Sequence, residues 1–152
     1  MKTGIFITII TLMVGISELH AQTDMFDKLS NDKNITTVYI SKALLGMIPN
    51  KDFGAGNISG LMNKLEQIEI YTGENKKSAN LMKSEMKSLT RNKAYEVLMT
   101  VKDHGENVTF YAQKEKDSFK DLIMFIEESE ECTIIRLIGT FTAEDVQKYT
   151  NR

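Results

Sequence analysis

Ser41 and Lys42, adjacent in VYISKALLGMIPN at 38–50, are the first pair whose types could do chemistry. A lysine that is buried and deprotonated can activate a neighbouring hydroxyl as a nucleophile. Adjacent residues at a helix start point in different directions, however, and an exposed lysine keeps its charge. Ser41 instead stands where an N-cap belongs, directly before the apolar run KALLGMI. His104, in the turn DHGEN, and Cys132, in ECTII, are the only histidine and cysteine beyond residue 21. One turn histidine without a G-x-S-x-G elbow makes no Ser-His-Asp relay. A zinc site needs three or four ligands at recognisable spacing, and none is present. Cys132 has no second cysteine to bridge and reads as a small buried hydrophobe in a strand.

Carboxylates cluster at Glu127, Glu128, Glu130 and Glu131 in IEESEE. Such a group can hold a hard cation or supply acid–base chemistry. The EF-hand spacing is absent, and charge at a hairpin tip needs only water. GAGN at 54–57 is too short to cradle phosphate. No catalytic, cofactor-binding or metal-ligating residue is therefore assigned, and no cofactor is expected.

The elements that would position these residues follow from periodicity. Met25, Phe26 and Leu29 suit a short helix over 24–34. Val38 and Ile40 alternate with Tyr39 and Ser41, the pattern of a half-buried strand. Pro49 ends the helix that follows, because the residue before proline is pushed out of the α region. A loop with two glycines comes next, and helical spacing resumes over 58–65. QIEIYTG reads as a strand with Ile68 and Ile70 inward. The longest helix is predicted over 75–93, with Ala79, Met82, Met86 and Leu89 as its apolar stripe.

The second half reads as four strands, YEVLMTVKD, NVTFYAQK, FKDLIMFIEE and CTIIRLIGTF, joined by short turns as an antiparallel meander. Thr142 caps a closing helix whose Glu144 and Asp145 complement its positive end. The expected fold is α+β: a mainly antiparallel sheet, the four-strand C-terminal meander plus up to two earlier strands at 36–41 and 67–72. Helices pack mostly on one face, and the strand order stays open.

Composition bounds the rest. The chain has 152 residues, 41% hydrophobic and 26% charged, with a net charge of -2 and the two signs interleaved. That balance suits one globular domain and offers nucleic acid no basic stripe. Residues 1–21 have the layout of a secretory signal peptide: Lys2, an apolar run over 5–16, and a small residue at Ala21. The run is too short to span a bilayer, so no stable span is expected after cleavage. This leaves a single α+β domain over 22–152, exported to the periplasm or cell envelope.

VYISKALLGMIP, LEQIEIYTGENKK, YEVLMTVKDHGENVTFYAQKEKD and LIMFIEESEECTIIRLIGTFTAEDV together resemble the DUF4252 family. The likeness extends over about residues 25 to 149. It implies a small exported protein of unknown function, of a kind found chiefly in Bacteroidetes. Family members often lie near sigma-factor and anti-sigma genes, which implies an envelope-signalling context. No catalytic residue comes with the resemblance.

One feature of the residues themselves bears on function. Leu122 to Ile126 are apolar at every position, and Ile134, Ile135, Leu137 and Ile138 surround one arginine. A strand with one wet face should alternate. These strands are either covered on both faces or meet a partner with the second. The leading expectation is a non-enzymatic binding module with a protein partner or a second copy of itself, whose partner face includes Ile123, Phe125, Ile134 and Ile138. A small-ligand or lipid carrier with an apolar cavity, and an enzyme built from scattered carboxylates and lysines, are the alternatives.

Overall fold

The computed structural model describes residues 25–47, 62–91 and 93–150. The predicted leader, Pro49, the loop and most of the helical stretch at 58–65 lie outside these. Helix α1 occupies residues 25–31. It is followed by strand β1 (Ile35–Ser41), helix α2 (Lys42–Met47), strand β2 (Leu65–Gly73) and helix α3 (Lys76–Arg91). Strands β3 (Tyr95–Asp103), β4 (Glu106–Glu115), β5 (Ser118–Glu127) and β6 (Cys132–Thr142) then lead into helix α4 (Ala143–Thr150).

All six strands form one antiparallel sheet in the order β1-β2-β6-β5-β4-β3. The α+β fold with a four-strand meander and two earlier strands is thus as expected, and the open strand order is now defined. β2 adds to β6, and β1 adds outside β2.

The turns explain the meander. His104 and Gly105 both have positive φ, 43° and 95°, between Asp103 and Glu106. A two-residue hairpin with two left-handed residues matches the twist of the strands it joins, and glycine enters that region freely.

α3 carries the chain from β2 back to the far edge. Its 16 residues rise about 24 Å. Four strand spacings of about 4.8 Å separate β2 from β3. The helix is long enough to cross that width, and α3 touches β2, β6 and β3. Its buried stripe is Ala79, Met82, Met86 and Leu89, with Ser78.

Two cores result. The larger lies under α1 and α3, where Phe26, Leu29, Met82 and Met86 meet Tyr71, Ile123, Phe125 and Ile134. The smaller lies at one end of the sheet around Leu45, Met62, Leu65 and Phe141. Bulges between Leu65 and Gln67 and between Phe119 and Asp121 let it form, because an extra residue flips the side chains before it to the opposite face. Gly139 sits where these features converge. A Cβ there would lie 2.2 Å from the Lys64 carbonyl oxygen, so only glycine lets the two backbones approach.

Several inward and outward assignments change. Ile68 and Ile70 were expected inward: Ile68 does pack against the smaller core, but Ile70 joins neither core, and it is Gln67, Glu69 and Tyr71 that face α1 and α3, with Glu69 and Tyr71 buried. Val38 is 42% exposed on the opposite face. Alternation shows which residues share a face; it does not say which face the helices choose. Here α1 and α3 cover the face bearing the charged residues, which pair with one another, while Leu45 of α2 packs with the smaller core on the opposite face.

Candidate functional site

At the centre of the helix-covered face stands Arg136 on β6. Strand register puts Glu69 of β2 directly opposite on one side and Ile123 of β5 on the other. Asp121, two residues before Ile123 on β5, is the diagonal neighbour that the guanidinium reaches. Arg136 Nη1 donates to Glu69 Oε2 at 3.1 Å, while Nε and Nη2 approach Asp121 Oδ2 at 2.9 and 2.8 Å.

Phenols extend the network. Tyr71 donates to Glu69 Oε2 at 2.9 Å, and Tyr95 donates to Asp121 Oδ2 at 2.9 Å. Gln67 donates to Glu69 and accepts from Tyr39 at 3.1 Å. Hydrogen-bonded side chains therefore run from edge strand β1 to edge strand β3. The Phe26 ring of α1 closes the top, with its centroid 4.0 Å from the Arg136 guanidinium carbon.

Electrostatics agree with this geometry. Burial opposes the charge on Arg136, but hydrogen bonding and attraction from Asp121, with Glu69 beyond it, outweigh burial and raise its pKa above the usual guanidinium value. Burial, then the neighbouring Glu69 carboxylate, pushes the Tyr71 phenol upward. The network holds fixed charges in fixed partners under a helix.

The sequence reading missed Glu69, Tyr71, Tyr95 and Asp121 and noted Arg136 only as an interruption. The available signal was Arg136, a charge inside the apolar run IIRLI; Glu69 alternates with Ile68 and Ile70 as a solvent-facing residue would, and Asp121 follows Lys120 at the polar start of its strand.

The residues singled out for chemistry remain apart. Ser41 Oγ accepts from the Leu44 amide at 3.4 Å, an N-cap contact, and Lys42 is exposed. His104 is exposed and pairs with Asp103 beside it. Cys132 is buried, and burial, reinforced by Glu127, pushes its thiol up to about 12. Glu127 accepts from Asn107 at 3.0 Å, while Glu128, Glu130 and Glu131 are exposed in the β5–β6 turn. Among the described residues no group of histidine, cysteine, aspartate or glutamate side chains is placed to hold a metal ion.

Of the expected partner face, Ile123, Phe125 and Ile134 lie in the larger core, 1%, 5% and 0% exposed, and Ile138 is half-buried on the same side. Ile123, Phe125 and Ile134 pack in the chain's own core with residues of α1 and α3, while Ile138 belongs to neither core. The unspent apolar surface is on the other face. Register aligns Val38, Ile70, Ile135, Met124, Phe110 and Met99 in one row across all six strands. With strands about 4.8 Å apart, the row is about 24 Å long. Val38 is exposed, the other five are half-buried, and none belongs to either core.

Fold and site together define a small α+β protein: one antiparallel sheet with a buried ion-pair network on one face and, beside the smaller core, an apolar row on the other that belongs to neither core among the described residues. The chain belongs to the DUF4252 family, a domain of unknown function, whose pattern matches residues 26–149. No curated protein matches the chain. Among the described residues no helix is long and apolar enough to cross a membrane.

Proposed function

We propose that this chain is an exported, non-enzymatic binding module of the periplasm or cell envelope, and that the apolar row of its sheet makes the contact. The observation that carries this reading is the unbroken row from Val38 to Met99. Contiguous exposed apolar surface marks interaction sites more than scattered single residues do. The charged and phenolic groups of the opposite face contact each other, which leaves apolar contact as the main resource of the surface. A role in envelope stress or sigma-factor signalling fits such a module.

The test is capture from envelope extract by the purified protein after cross-linking, beside Ile135→Lys and Met124→Lys variants with unchanged circular dichroism. The wild type should retain a partner that both variants lose. Equal retention by all three rejects the row as the contact. Extracted lipid retained in place of protein rejects the protein-binding reading.

A further inference from the structure

The two edges of the sheet are unlike. β3 carries Glu96, Lys102 and Asp103, and a bulge breaks its register between Val97 and Met99. Charge and bulges are the devices by which edge strands avoid pairing with other chains. β1, ITTVYIS, has neither. It contains no charged residue and no proline, and its pairing with β2 is unbroken from Ile35 opposite Gly73 to Ser41 opposite Gln67. Thr36, Thr37, Val38 and Tyr39 are all exposed. Among the described residues β1 pairs with β2 alone, and no strand among them takes the backbone donors and acceptors of its other side.

We infer that β1 is a dimerisation strand: a second copy of this chain adds its own β1 antiparallel across a two-fold axis at Val38, so that one sheet runs through both copies. The strand's own sequence argues for this occupant. With Val38 on the axis, all seven residues overlap, and any other axis shortens the pairing. Ile35 then meets Ser41 of the second copy, Thr36 meets Ile40, Thr37 meets Tyr39, and Val38 meets itself. Each pair shares a face, as antiparallel register requires, and no like charges oppose. Closure by a two-fold axis also stops the edge from templating an open-ended fibre. Val38 begins the apolar row, so the two rows become continuous across the dimer. The inference rests on the edge of the sheet and goes beyond the face-binding reading.

Sedimentation over a concentration series should show a dimer for the wild type and a monomer for Val38→Lys, which would place two like charges on the axis. Tyr39→Lys, at a side chain 61% exposed, is the second variant should Val38→Lys fold poorly. Register is read by oxidative cross-linking. Val38→Cys should link to its own copy, because a disulfide needs Cα atoms within about 7 Å. Thr36→Cys stands four residues from its counterpart, about 13 Å along the strand, and should not link. Buried Cys132 supplies no competing thiol. A wild type that remains monomeric, a dimer that survives both lysine variants, or equal behaviour of the two cysteine variants overturns the proposal. Loss of partner capture by Ile135→Lys with dimerisation intact separates this inference from the face-binding reading.

Discussion

Arg136 brings one positive charge to two buried carboxylates, and the side chains of Arg136, Glu69 and Asp121 are only 15%, 12% and 3% exposed. Taking three such groups out of water costs more than their attraction easily returns, so the network is weak evidence for added stability. Breaking it is another matter. Arg136→Ala would leave both carboxylates without their shared countercharge, and urea unfolding should show a loss of about 3–5 kcal/mol. Replacing all three residues together by apolar ones (Arg136→Met, Glu69→Leu, Asp121→Leu) should cost less than Arg136→Ala alone. A larger loss for the triple variant would mean that the network stabilises on balance. Arg136 was visible in the sequence as a charge inside an apolar run, whereas Glu69 and Asp121 looked like ordinary solvent-facing residues. The meeting of the three was not visible, because it depends on β2, β6 and β5 being neighbours.

α4 shows how a cap ties an element to the sheet. The Asp145 amide donates to Thr142 Oγ1 at 3.2 Å, and the Thr142 amide donates back to Asp145 Oδ2 at 2.7 Å. This reciprocal pair satisfies two amides at the helix start. Lys64, in the turn before β2, donates to the same Oδ2 at 2.5 Å. The Lys64 hydrogen bond, then the Thr142 amide, lowers the Asp145 carboxyl from 3.8 to about 2. A depressed folded-state pKa means that the unfolded chain takes up the proton first as pH falls. The associated stability is present above about pH 4 and is lost toward pH 2. Asp145→Asn should therefore be destabilised at pH 7 and differ little from wild type at pH 2, as read by denaturant unfolding at both pH values. The cap at Thr142 was legible from local sequence. The Lys64 contact, 81 residues away, was not.

At the scale of the molecule, protection should follow strand order rather than sequence order. β6 and β5 have a strand on each side, and α3 crosses above β6. Their amides should exchange with solvent most slowly, and those of β3 faster, since an edge has one partner only. Hydrogen exchange read strand by strand checks this. If β1 joins two copies, its protection should rise with protein concentration while that of β3 does not change. The meander, the long helix and the two earlier strands could all be read from the sequence, because turn chemistry and hydrophobic period are local. The sequence also showed that β5 and β6 are apolar on both faces. Which face the helices take was decided by tertiary structure. α3 must cross from β2 to β3, and it settles over the side where Arg136 can hydrogen-bond to both Glu69 and Asp121 out of water. That choice buries Ile123, Phe125 and Ile134 and leaves the row from Val38 to Met99 outside both cores. Alternation within one strand cannot encode it, since both faces of a strand are equivalent until its neighbours and its covering helices are in place.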